Sequence, residues 1–144
     1  MKIVFFGAGY CCRHIIPHIE EKTEIICTHN LGIKPELYDK NLKVRRFSFR
    51  DFLKHKEELL KNVTHILNSI PPVEDSDVVY EIINSMDNKF FSKLVWFGYF
   101  SSTSVYGNHN GEWVDEQTKT LPTNIRGERR LRVENLFMKL FKKK

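Results

Sequence analysis

Five short apolar runs punctuate the chain, separated by segments whose apolar residues recur at helical spacing. Ile3-Val4-Phe5-Phe6 is the first, an unbroken run that suits a strand buried on both faces. Glu24-Ile25-Ile26-Cys27-Thr28 is a second run of this kind. Leu42 to Phe47 alternates between apolar and basic residues, which predicts a more exposed third strand. Thr64 to Ile70 reads as a fourth strand, stopped by Pro71-Pro72, and Lys93 to Phe100 as a bulky fifth. Between these runs the spacing predicts helices. One follows the first run to about Lys22, loosened by Pro17. A second is capped by Asp51 and passes through Phe52, Leu53, Leu59 and Leu60. A third is capped by Asp75 or Ser76 and runs from Asp77 to Met86, with Val78, Val79, Ile82 and Ile83 on its buried stripe. Residues 31–41 read as loop. Strands alternating with helices mean an α/β protein with a doubly wound parallel sheet.

The turn after the first run carries the first chemistry. Gly7-Ala8-Gly9-Tyr10 joins a buried strand to a helix N-terminus, an arrangement that cradles phosphate. Gly7 permits the tight turn, and Gly9 lets the backbone approach a pyrophosphate with no Cβ in the way. The amide groups and positive end of the helix then face the anion. The fingerprint is incomplete, since Cys12 stands where a third glycine normally allows close helix–strand packing. A plain strand–turn–helix is the competing reading. At the end of the second strand stand Thr28, His29 and Asn30, with no acid until Glu36. An acid there grips a ribose 2′-hydroxyl, so its absence tilts the expectation from NAD toward NADP.

Composition narrows the class without changing this picture. The chain has 144 residues, 41% of them hydrophobic and 28% charged, which fits one soluble domain, residues 1–144. No apolar run approaches a membrane span, and no signal-peptide pattern precedes the first strand. Three cysteines, Cys11, Cys12 and Cys27, form no disulfide framework and read as reduced thiols of a cytoplasmic protein. A reactive thiol at Cys11 or Cys12 competes there with plain packing. His14 and His18 are four residues apart, a metal-gripping spacing, but lack a third ligand, so no metal is expected. The net charge is +5, yet from Ile125 onward eight Lys or Arg face only two Glu. The basic character belongs to that last segment. Nucleic acid is not expected as a partner, although this tail carries a third reading, contact with nucleic acid or an anionic membrane surface.

The fifth run leads into Ser101-Ser102-Thr103-Ser104-Val105-Tyr106-Gly107 and then Gly111-Glu112-Trp113-Val114-Asp115-Glu116. Hydroxyl residues at the carboxyl end of a parallel strand lie where such sheets bind ligands. Together with the glycine turn and Ser69-Ile70-Pro71-Pro72, this block resembles the short-chain dehydrogenase/reductase superfamily. The likeness is to an atypical branch of its extended, NAD-dependent epimerase/dehydratase type, and to the N-terminal half of such a protein. The resemblance implies a Rossmann-like sheet of five strands in order 3-2-1-4-5, truncated, without the family's C-terminal substrate-binding part. It implies a nucleotide cofactor, NADP or NAD, held along Gly7, Ala8, Gly9, Tyr10, Thr28, His29, Ser69 and Ile70. It also places Ser102 where the family polarises the reacting group. Counting back from Glu134 puts Arg130 at the family's lysine and Arg126 at its acid–base tyrosine, while Tyr106 takes a structural role.

Two readings follow: an impaired or split epimerase-like enzyme, or a nonenzymatic nucleotide-binding or interaction module. The apolar band Leu131, Val133, Leu136, Phe137, Leu140 and Phe141 exceeds what one sheet face covers. It predicts a homodimer or a separately encoded C-terminal half as partner.

Overall fold

All five apolar runs pair side by side in the computed structural model, as one parallel sheet with the order β3-β2-β1-β4-β5. The structure describes residues 1–30, 44–74 and 76–142. The expected loop at 31–41, the first two residues of the expected third strand, Asp75 and the last two lysines lie outside them. The strands are β1 Lys2–Phe6, β2 Glu24–His29, β3 Val44–Ser48, β4 His65–Asn68 and β5 Trp96–Tyr99. The helices are α1 Tyr10–Ile15, α2 Phe49–Lys54, α3 Lys56–Leu60, α4 Val78–Ser85 and α5 Ile125–Lys142. The alternating order and the parallel sheet are those of an α/β Rossmann-like fold.

The described residues form two compact units. Met1–Ile70 with Met86–Tyr99 holds the whole sheet, and Pro71–Ser85 with Phe100–Lys144 holds α4 and α5.

In the sheet unit, β1 is central because it is the most continuously apolar run. Ile3 pairs in register with Ile25 on one side and His65 on the other. Successive side chains point to opposite faces, so both faces need cover. Ile3, Phe5, Ile25, Cys27 and Leu67 form one cluster with Cys12 and Ile16. On β1's alternate positions, Phe6 meets Phe52 of α2 edge-on, with centroids 5.1 Å apart. Each such fully buried side chain contributes about 1.5–3 kcal/mol. β5 is an edge strand with exposed Trp96 beside exposed Val95.

Several element ends differ from the sequence expectation. The first helix stops at Ile15, and Ile16–His18 forms a 3-10 turn with Pro17 inside it. Proline has no N–H to continue the helical ladder, so the chain tightens and leaves. The second helix is capped by Ser48, not Asp51. The Ser48 hydroxyl accepts the Asp51 N–H at 3.0 Å and donates to the Asp51 carboxylate at 2.7 Å. Lys54 and Ser48 together hold the Asp51 carboxyl below its ordinary range. The expected single helix breaks at His55 into α2 and α3.

β4 is shorter than the expected 64–70 run. β5 starts at Trp96, because a turn closed by the Leu94 N–H on the Phe91 carbonyl, after a 3-10 segment at Asn88–Phe91, takes up the expected start. For α4, Asp77 supplies the cap expected from Asp75 or Ser76. Its carboxylate accepts the N–H groups of Val79 and Tyr80, each at 2.9 Å.

In the second unit α4 and α5 meet through Tyr80 and Phe137, whose rings stand edge-on with centroids 5.8 Å apart. Of the apolar band on α5, Val133 and Phe137 are buried, and Leu131, Leu136, Leu140 and Phe141 are half-buried.

Replacing Ser48 removes an acceptor for the first turn of α2 without altering its buried face. Ser48→Ala is expected to lower stability by about 1 kcal/mol in urea unfolding, and Ser48→Thr, which keeps the hydroxyl, to restore most of it. Equal midpoints for all three proteins would reject this cap.

Candidate functional site

Two sets of residues come together, one in each unit. In the sheet unit the glycine turn leaves the carboxyl end of β1. Gly7 has a φ of +85°, a conformation glycine adopts without a Cβ penalty. A Cβ there would lie 2.8 Å from the Ser69 hydroxyl, so this glycine is fixed by packing as well. The turn is tied down on three sides. Gly7 donates its N–H to the Thr28 hydroxyl at 3.0 Å, and Ala8 donates to the Thr28 carbonyl at 2.7 Å. The Gly7 carbonyl accepts from the Ser69 hydroxyl, and from the Cys12 thiol at 3.2 Å. Ile70 donates its N–H to the side-chain oxygen of Asn68 at 3.0 Å, which holds the end of β4.

Gly9 behaves differently. Its φ is −83°, open to any residue, and a Cβ placed on it would meet nothing within 4 Å. Neither backbone conformation nor internal packing calls for glycine there. It is the N-cap of α1 and brings no side-chain cap to the amides that open the helix.

Of the eight cofactor-binding candidates, Gly7, Ala8, Gly9 and Tyr10 form this turn, and Thr28, His29, Ser69 and Ile70 stand at the adjoining strand ends. Their roles divide. Thr28 is buried and Ser69 is bonded back to the turn, so both brace it. Tyr10 is exposed, its ring 4.4 Å from that of His14. His29 is half-buried and its ring Nδ1 bonds the Asn30 carbonyl at 2.9 Å.

Cys12, at the place of the third glycine, is fully buried against β1 and β2. Its thiol fills the helix–strand contact and also bonds the turn. Burial pushes the Cys12 thiol up, and pushes that of Cys27 up to about 12. Both are packing residues, and Cys11 alone of the three is exposed. Among the described residues no three His, Cys, Asp or Glu side chains gather as a metal site.

The second set lies wholly in the other unit. Ser102, Arg126 and Arg130, the three catalytic candidates, line one cleft of about 800 Å³ together with Arg129, Pro71 and Pro72. Ser102 caps a 3-10 turn at Thr103–Val105, its hydroxyl accepting the Ser104 N–H at 3.2 Å. Arg126 and Arg130 are one turn apart on α5 and so share a face. Arg130 is anchored by a bond from its guanidinium to the Phe100 carbonyl. Tyr106 is half-buried outside the lining, and its carbonyl is 3.0 Å from the His109 ring.

Two glycines to which the sequence reading gave no role shape this unit, and one of them, Gly127, stands beside the cleft. Gly127 is buried, and a Cβ there would collide with the Ser104 carbonyl oxygen. Its absence lets α5 close onto the serine turn. Gly107, with a φ of +75°, has no room for a Cβ against the Leu121 carbonyl. The only hint in the sequence was the Val-Tyr-Gly spelling at 105–107. Nothing local marks Gly127, because a glycine inside a helix is ordinarily just a weak point.

No family model matches the sequence, and it has no significant match to a curated protein. Solved structures do match. A conserved protein of unknown function from Silicibacter pomeroyi is 29% identical, with a TM-score of 0.75, over 94% of this chain and 47% of that one. UDP-glucuronic acid 4-epimerase from Bacillus cereus, solved with a fluorinated UDP-glucuronic acid and NAD, is 20% identical, with a TM-score of 0.73, over 99% and 52%. UDP-N-acetylglucosamine 4-epimerase from Methanobrevibacter ruminantium is 18% identical, with a TM-score of 0.64, over 97% and 50%. The chain thus spans about half the length of the structures it matches. It has the fold of the N-terminal Rossmann half of NAD-dependent epimerases and dehydratases. Among the described residues no helix is long and apolar enough to cross a membrane.

The thiol environments give a direct test. In the native protein a thiol reagent at pH 8 is expected to modify one cysteine, Cys11, and all three after unfolding. Cys27 also links stability to alkaline pH. Its folded pKa of about 12 lies above the ordinary 9.0, so the folded state keeps the proton that the unfolded chain releases. That contribution is complete below pH 9 and is lost as the pH rises toward 12. Rapid native modification of Cys12 or Cys27, located by peptide mass, would contradict the packing described.

Proposed function

We propose that the chain binds a nicotinamide dinucleotide at the glycine turn and works as the nucleotide-binding half of an epimerase/dehydratase-like protein. The observation that carries this reading is Gly9. It is a glycine with no conformational or internal steric reason to be one, at the N-terminus of the helix that follows the central strand. A ligand backing onto the main chain supplies the missing reason. Gly7, Ala8, Gly9 and Tyr10 would then hold the pyrophosphate, with Ser69 and Ile70 beside the second ribose. The nucleotide bound by the B. cereus epimerase, NAD, fits the same fold. For this chain NADP is favoured over NAD. Thr28 and His29 end β2, and no acid is found there among the described residues to grip a 2′-hydroxyl.

A bound nicotinamide would supply hydride transfer, and the chain's own residues would then have to move a proton. Ser102 can orient a carbonyl or hydroxyl by hydrogen bonding. Arg126 and Arg130 stand where the resemblance calls for tyrosine and lysine. An arginine side chain keeps its proton at physiological pH and serves poorly as an acid or base. This supports an impaired or incomplete enzyme, and favours as second reading a nonenzymatic nucleotide-binding or interaction module. We take residues 1–144 as one such domain, cytoplasmic, partnered by a second copy or by a separately encoded half.

Titration of NADPH or NADH fluorescence is expected to saturate in the micromolar range or above with the wild type. Gly9→Asp should abolish it while leaving the unfolding free energy within about 0.5 kcal/mol, the scatter typical of open surface positions. Superimposable titrations would remove the site.

General acid–base catalysis is worth about 100- to 10,000-fold. No steady oxidation of NADPH is therefore expected with simple carbonyls or sugar nucleotides. Turnover that Ser102→Ala abolishes would show that another group supplies the proton, and would sink the impaired-enzyme reading.

A further inference from the structure

The cleft on α5 has a composition that hydride chemistry does not explain. Its described lining contains three arginines, Arg126, Arg129 and Arg130, and no carboxylate. Three like charges on consecutive turns of one helix repel each other and destabilise it. Among the described residues Arg126 and Arg129 have no acidic partner. The Arg129 Nε–H is buried without a hydrogen-bond partner, although buried polar groups are ordinarily satisfied.

The rest of the lining points the same way. Ser102 and Ser104 present hydroxyls, which donate as readily as they accept. Asn124 caps α5, its side chain accepting the Gly127 N–H at 2.9 Å. The cleft therefore also receives the positive end of an 18-residue helix. Gly127 brings these parts together, since any side chain there would separate α5 from the serine turn. Pro71 and Pro72 add apolar wall. About 800 Å³ is room for a small molecule carrying its anionic group on a larger body.

We infer that the α5 cleft is a binding site for a small molecule bearing a doubly charged oxyanion, with Arg126 and Arg129 as the recognising cations and Arg130 as an anchored third. Guanidinium forks match the paired oxygens of carboxylates and phosphoryl groups alike. The shared chemistry is the oxyanion, and its source is either a phosphoryl or a dicarboxylate ligand. The site stands on the residues of the second unit alone and does not rest on nucleotide binding at the glycine turn.

Calorimetric titration of the full chain with inorganic pyrophosphate and with malonate, at constant ionic strength in chloride, tests this. At least one of the two should bind saturably. Arg126→Gln, at an exposed position, should weaken it tenfold or more, a loss of about 1.4 kcal/mol. Arg45→Gln, a charge removed elsewhere, should leave it unchanged. Tighter pyrophosphate assigns the site to phosphoryl ligands and tighter malonate to carboxylates, and both support the proposal. Pyrophosphate is titrated in parallel into Gly9→Asp, where saturation dependent on Arg126 should persist. Its persistence without nucleotide binding would separate this site from the turn. Absence of saturable binding by either anion overturns the inference. So does equal weakening by Arg126→Gln and Arg45→Gln, or pyrophosphate binding that Gly9→Asp alone removes.

Discussion

The backbone of one residue, Gly7, holds the sheet unit's upper edge together. The Gly7 N–H goes to the Thr28 hydroxyl, and its carbonyl takes the Ser69 hydroxyl and the Cys12 thiol. Through this residue β1 is tied to β2, β4 and α1 at the level where all three strands end. The knot requires a left-handed residue with no side chain, because a Cβ would press on Ser69. It also requires short polar partners at three distant positions. Two of them are buried, and the third is fixed by a second bond to the Phe6 carbonyl at 3.0 Å. A buried polar group left unpaired is penalised by about 1–3 kcal/mol, so these partners hold one another in place. Gly9 can remain open on the outer side because the turn is already rigid without it.

The second unit solves a similar problem in another way. There the close approach is between a helix and a loop, and Gly127 and Gly107 are the places where backbone meets backbone. At Gly127 the approach to Ser104 borders a cationic cleft in place of an amide cradle. Both sites thus depend on missing side chains, but for different reasons. At Gly7 the missing Cβ permits a conformation; at Gly127 it permits a contact; at Gly9 it leaves space outside the protein.

Cys12 shows how a departure from a motif is absorbed. A glycine at that position serves close helix–strand packing. The thiol is small enough to sit in the core cluster with Ile3, Phe5 and Cys27, and it gives back a hydrogen bond to the turn it adjoins. Burial pushes its thiol up, against the reactive alternative that its place near a helix start suggests.

The sequence by itself determined the sheet. Apolar runs such as Ile3–Phe6 and Ile25–Cys27 are long enough, and bounded clearly enough, that only buried parallel strands satisfy them. Their alternation with helical spacing leaves few ways to connect them. It also placed the glycine turn, because a strand, two glycines and a helix are contiguous in the chain. Element ends were legible only in part. Ser48 and Asp77 rather than their neighbours cap α2 and α4, since a cap is chosen by which hydroxyl or carboxylate reaches the free amides. The division of labour between Gly7 and Gly9 was decided by tertiary structure, through Ser69, which is distant in sequence. The arginine cleft was decided there too. Ser102 and Arg126 are separated by a loop that carries no periodic signal, and only the fit of Gly127 against Ser104 brings them to one wall.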